Sequence, residues 1–155
     1  MPDCRKTNRL PEKLSEAAEH LLEEPYCVID LLPKQVSENR ADAFSRAEQY
    51  FLGEERIARL HQRFISVLLK LNCYVSFQGS ADNGESWYAD PSPEQLNSWF
   101  AEQGYHILIL LNGTDHLIMA DDRDIYMTLF HPDDTLLKLA EQIAYSEGLF
   151  VRSSM

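Results

Sequence analysis

Five histidines, three cysteines and 25 carboxylates are the side chains with which this chain can do chemistry. Their spacing is the first test of each reaction class. His20, His61, His106, His116 and His131 include no pair three or four residues apart on one helical stretch, and no HExxH occurs, so the usual helical zinc site is not spelled out. His106 and His116 flank Asn112-Gly113, a dipeptide that supplies the two positive φ angles of a type I′ hairpin turn. With these as the two turn residues, Ile109 faces His116 and His106 faces Met119, and the histidines point to opposite faces of the sheet, where they cannot share a ligand. Cys4, Cys27 and Cys73 are odd in number and contain no CxxC, which argues against a disulfide scaffold or a zinc knuckle. Cys73 opens a predicted strand, Cys73 to Phe77, and His106 or His131 is a conceivable base for it. No GxSxG or Cys-Gly motif accompanies it, so a buried structural thiol is the better reading.

The oxygen-rich stretches are incomplete as cation loops. Asp121-Asp122-Arg123-Asp124 lacks the alternating ligands, central glycine and terminal glutamate of an EF-hand, and Asp82-Asn83-Gly84-Glu85 is equally incomplete, so both read as polar turns. Six scattered glycines build neither a phosphate-cradling loop nor a dinucleotide fingerprint. The sequence thus calls for no metal, no cofactor and no catalytic residue.

Charge is more informative than any motif. Residues 1–70 hold 12 acidic and 11 basic side chains, a net of −1, whereas residues 71–155 hold 13 acidic and 3 basic, a net of −10. Between Lys70 and Arg123 there is no lysine or arginine at all. Such a half repels nucleic-acid phosphates and suits either plain solubility or a basic partner. The main basic surface expected is the helical face of Arg56, Arg59, Arg63 and Lys70, which by default is a solvated face and otherwise suits an anion or the acidic half of a second copy.

The elements that must position these groups follow from periodicity and breakers. Residues 1–10 are polar and mixed in charge, and are expected as a loose tail ahead of one domain spanning 11–155. A helix over 11–24 carries the stripe Leu14, Ala17, Ala18, Leu21 and Leu22. Tyr26 to Leu32, closed by Pro33, reads as a buried strand. Residues 41–71 are helical with a break at Gly53. Residues 78–91 form the one long polar loop, unless Asn83-Gly84 turns a hairpin whose return strand contains Trp87 and Tyr88. Ser92, Pro93 and Gln95 spell a capping box for a short helix buried through Leu96, Trp99 and Phe100. Residues 105–130 read as a three-stranded antiparallel meander, because two apolar runs meet at Asn112-Gly113 and a third follows the polar break at 121–124. A helix over 132–147, stopped by Gly148, leads to a final strand at Leu149 to Val151. The run Ile107 to Leu111 is apolar at both parities, so it belongs in the middle of a sheet covered on two faces.

The fold class expected is therefore α+β, a sandwich of helices on a mainly antiparallel sheet. No stretch reaches the roughly 20 apolar residues of a membrane span, and the N-terminus lacks the apolar core of a secretion signal, so a cytoplasmic location is expected. The functional expectation is a non-enzymatic binding module of the inhibitor or immunity type that engages a basic protein partner. Its contacts would be Asp121, Asp122 and Asp124 for charge, with Trp87 and Tyr88 as aromatic anchors. The alternatives are a small enzyme with an unrecognised pocket, or a structural homo-oligomer, the latter as a dimer pairing the arginine face with an acidic neighbour.

Overall fold

The computed structural model describes residues 4–102, 106–121 and 123–153. In chain order the elements are α1 Cys4–Leu21, β1 Tyr26–Asp30, a 3-10 turn at Glu38–Arg40, α2 Ala41–Phe51, α3 Glu54–Asn72, β2 Phe77–Ser80 and β3 Tyr88–Ala89. They continue as α4 Pro93–Ala101, β4 Ile107–Leu111, β5 His116–Ala120, β6 Tyr126–Phe130, α5 Asp134–Ser146 and β7 Phe150–Ser153. The strands join in one antiparallel sheet of order β3-β2-β4-β5-β6-β1-β7. The protein is thus α+β, with five α-helices and seven strands among the described residues.

Strand parity decides which side chains meet which helices. Ile107, Ile109 and Leu111 of β4, Ile118 and Ala120 of β5, Met127 and Leu129 of β6 and Cys27 and Ile29 of β1 point to one face. There they are buried together with Leu60, Phe64 and Leu68 of α3, Leu96 and Phe100 of α4 and Leu136, Ala140 and Ala144 of α5. Leu110, Leu117 and Phe130 point the other way, onto Leu14, Ala18 and Leu21 of α1. The parity-blind apolar run of β4 is explained by helices on both its faces.

Most junctions follow their sequence signals. Gly53 separates α2 from α3 as the N-cap of the latter. Ser92 and Gln95 form the reciprocal capping box of α4. Asp133 caps α5 by accepting the Leu136 N–H at 2.7 Å, so Pro132 lies just ahead of the helix instead of within it. Asn112 and Gly113 have φ of 53° and 75°, the positive angles that this dipeptide tolerates.

Several boundaries differ from those the sequence suggests. α1 begins at Cys4, not Pro11. The stretch 4–10 expected as a loose tail thus belongs to the helix, consistent with the good helix formers Arg5, Lys6, Arg9 and Leu10; residues 1–3 lie outside the described ones. The hairpin pairs Leu111 with His116 and Ile109 with Ile118, so its loop holds four residues, 112–115, instead of two. The shift by two leaves every side chain on its expected face, which is why His106 and His116 still point apart. Strand β2 is Phe77–Ser80, not Cys73–Phe77, because α3 runs on to Asn72 to bury Leu68 and Leu71. β1 ends at Asp30 and β7 is Phe150–Ser153, where they pair at the sheet edge.

The core assignment gives a direct test. Ile109 is fully buried, and Ile109→Asp places an unpaired carboxylate there, a substitution that should cost at least about 4 kcal/mol. Thermal melting followed by circular dichroism checks it: a soluble variant with the wild-type midpoint would contradict the packing described.

Candidate functional site

Two turns far apart in sequence open at the same end of the sheet. The register pairs Ser80 with Leu108, Ile107 with Ala120 and Ala120 with Met127, so the β2–β3 turn and the β5–β6 turn leave from one edge. Only β4 lies between their strands, which places the turns about 10 Å apart. Asp82, Glu85, Asp121 and Asp124 thereby share one end of the molecule. Asp122, expected to act with its neighbours, lies outside the described residues.

Two of the acidic groups at this end, Asp82 and Asp121, are held by hydrogen bonds from nearby residues. Asp82 Oδ1 accepts from the Ser80 hydroxyl at 2.9 Å and the Ser86 N–H at 2.8 Å. Burial pushes its pKa up, but those hydrogen bonds outweigh it and hold the carboxyl below the usual range. Asp121 Oδ1 accepts the Arg123 N–H at 2.9 Å, and Oδ2 lies 3.2 Å from His106 Nδ1. This places His106 at the acidic end, beside Asp121.

Trp87 and Tyr88 sit on the hairpin that sequence offered as the alternative to a long loop. Asn83 and Gly84 have φ of 59° and 88°, and the return strand pairs Tyr88 with Gly79. Trp87 Nε1 donates to the Gly84 carbonyl at 3.0 Å and to Ser15 Oγ at 3.3 Å, while Ser15 Oγ donates to the same carbonyl at 2.8 Å. A Cβ at Gly84 would meet Ser15 Oγ at 2.6 Å, so glycine is required there for both its φ and its contact. The indole therefore clamps α1 to the hairpin, a role its sequence position does not disclose. Tyr88 is 47% exposed and leans on Trp99, ring centroids 6.0 Å apart.

Of the residues considered for catalysis, Cys27 and His131 line one pocket of about 380 Å³ together with Glu141, and the His116 and His131 rings lie 6.3 Å apart. Cys73 is the exposed C-cap of α3, its thiol directed at the Leu69 carbonyl at 3.4 Å. Cys27 is buried, which with the nearby Glu141 charge pushes its pKa up to about 11; such a thiol stays protonated and unreactive. His116, also buried, has Nδ1 2.6 Å from the His131 carbonyl, and its Nε2 lies 3.7 Å from Asp133. Among the described residues no group of three or more His, Cys, Asp or Glu side chains is arranged to hold a metal.

The side of the sheet that α1 leaves open carries a cleft of about 440 Å³, lined by Tyr26, Val28, Met119, Tyr126, Thr128 and Arg152 among others. Arg152 is committed: its Nε and Nη2 both lie 2.9 Å from Oδ2 of the buried Asp30. The Tyr126 phenol is pushed up by burial and then by the negative charges of Asp124, Asp30 and Glu48. Among its lining residues there is no carboxylate, imidazole or thiol, so the cleft offers no acid–base pair of the kind hydrolytic chemistry uses. The Asp30 and Arg152 pair joins residues 122 positions apart; the sequence signal for it was an acidic residue at a strand position whose neighbours are all apolar.

No protein-family model, no curated protein and no solved structure matches the chain. Among the described residues no helix is long and apolar enough to cross a membrane.

Two outcomes follow. Trp87→Ala should cost about 2 kcal/mol or more, and hydrogen exchange should show α1 amides losing protection while β4 to β6 keep theirs. Asp82 and Asp90 both have lowered pKa values, the latter because it accepts the Phe77 N–H and the Asn72 amide. Their folded values lie below the unfolded ones, so the stability they contribute is complete above the ordinary carboxyl value of 3.8 and is lost as pH falls through the lowered folded value. Amide shifts of Phe77 and Ser86 should therefore stay constant down to about pH 4 and move only below it.

Proposed function

We propose that the protein is a binding module that engages a basic surface of a partner protein through the acidic end of its sheet. The observation that supports this reading is the convergence of Asp82 and Glu85 from one turn with Asp121 and Asp124 from another, about two strand spacings away. Backbone hydrogen bonds hold two of these carboxylates in place, so little ordering entropy is lost when a partner docks. Tyr88, half-exposed beside the same hairpin, supplies an aromatic contact of the type that anchors interfaces. Trp87 contributes by holding the hairpin, and its removal acts first on stability.

Opposed charge across such an interface acts mainly by steering encounter, which raises on-rates by about ten- to a thousandfold and is screened over about 8 Å at physiological ionic strength. With the partner isolated by affinity capture from the native host, surface plasmon resonance on the combined Asp121→Asn, Asp122→Asn, Asp124→Asn variant tests the reading. Asparagine keeps the acceptor that Asp121 offers to Arg123, so the melting temperature should hold while the on-rate falls about tenfold at low salt. Free DNA and RNA should not bind. An on-rate at low salt equal to that of the wild type would reduce the acidic end to a solubility device.

A further inference from the structure

A second charged feature, on the helical layer, is basic. Arg56, Arg59 and Arg63 follow one another at spacings of three and four on α3, so their side chains rise from one face, and all three line a pocket of about 140 Å³ completed by Leu31, Tyr50, Phe51 and Leu60. Like charges so arranged repel one another. The ion pairs among the described residues use Lys70, His106, His116 and Arg152, and none of these three arginines. The pocket lining contains no carboxylate. Lys70, expected on the same face, is neutralised by Glu147 at 2.8 Å.

One of the three is fixed in place. The Arg56 Nε–H donates to the Tyr50 carbonyl, and the guanidinium carbon lies 4.0 Å from the centroid of the Tyr50 ring. Its terminal Nη2 occupies space that only glycine leaves free, since a Cβ at Gly53 would meet that atom at 2.5 Å. The backbone hydrogen bond uses Nε, and both terminal nitrogens are left for a ligand. An arginine oriented in this way presents a planar fork matched to two oxygens of one anion.

We propose that this pocket binds a phosphate monoester, with the phosphate on Arg56, Arg59 and Arg63 and the organic group against Tyr50 and Phe51. Charge and valence favour this class over a carboxylate. A monoester near neutral pH carries almost two negative charges and three acceptor oxygens, one for each guanidinium, whereas a carboxylate leaves two positive charges uncompensated. The volume of about 140 Å³ admits a head group and not a whole nucleotide, since pockets for complete small ligands run from about 300 Å³ upward. The acidic end does not forbid this. Its charges are screened beyond about 8 Å at physiological ionic strength, so a small ester responds to the arginines around it, while a long nucleic acid would also meet the carboxylates.

Titration calorimetry and arginine side-chain NMR on the full chain test the assignment, with O-phosphotyrosine, inorganic phosphate and tyrosine as probes. O-phosphotyrosine should bind one to one and more tightly than inorganic phosphate, moving the Arg56 Nε signal, and tyrosine should not bind. Affinity should fall as pH drops through the second phosphate pKa of about 6. Gly53→Ala and Arg56→Lys both keep the net charge; each should weaken binding at least about tenfold, a loss of about 1.4 kcal/mol, with the circular dichroism spectrum unchanged. Wild-type affinity in both variants would show a diffuse electrostatic cloud in place of a site and overturn the proposal. Equal affinity for inorganic phosphate and the ester would overturn the ester class. If no phosphate compound binds saturably and light scattering shows a dimer that Arg59→Glu dissociates, the occupant is a second copy of the chain, and the proposal also fails.

Discussion

Everything in this structure depends on burying β4 and β5 from both sides. Ile109 and Ile118 meet the α3 to α5 layer, and Leu110 and Leu117, adjacent on the same strands, meet α1. All four are fully buried. Removing either helical layer would expose a row of apolar side chains on the central strands, a cost set by roughly 25 cal/mol for each Å² returned to water. The hairpin is thus the common wall of two cores, and its ends are fixed in space relative to both helical layers.

That constraint carries through to the surface. Because β2 and β5 flank β4 in register, their outgoing turns are held at one end of the sheet. Ser15, Gly84 and Trp87 then tie α1 to the β2–β3 turn, so the layer that buries Leu110 also steadies the acidic hairpin. On the helical side, α3 buries Leu60, Phe64 and Leu68 and turns Arg56, Arg59 and Arg63 outward. A protein of net charge −11 in this way presents Asp82, Glu85, Asp121 and Asp124 from turns and three arginines from a helix.

The open side of the sheet shows what happens where the second layer stops. α1 packs on Phe130, and towards the β1 and β7 edge the same face of the sheet carries Tyr26, Tyr126, Thr128 and the pair Asp30 and Arg152. A buried carboxylate needs its partner, since the desolvation of an unpaired charge costs several kcal/mol. Arg152 on β7 therefore does for Asp30 what an apolar neighbour does for Val28, and it fixes the last strand at the edge of the sheet.

Local patterns in the sequence determined the kinds of element, most of their order and several junctions: the Asn112-Gly113 turn, the Ser92 and Gln95 capping box, the Gly53 break and the α+β class. Each of these is set by forces acting within a few residues, namely φ preference, capping and the period of apolar side chains. The hairpin register was legible only to within two residues, because a shift of two leaves every side chain on its original face and the apolar pattern cannot detect it. Similarly, the pattern of Cys73 to Phe77 suits a strand, but the helix before it gains more by carrying Leu71 into the core. What only the tertiary structure decided are the meetings of distant residues, Ser15 with Trp87 and Asp30 with Arg152, and the placing of Asp82 and Asp121 at one end of the sheet. These depend on strand order and on which helix covers which face, quantities that arise from packing the whole chain and leave no periodic trace along it.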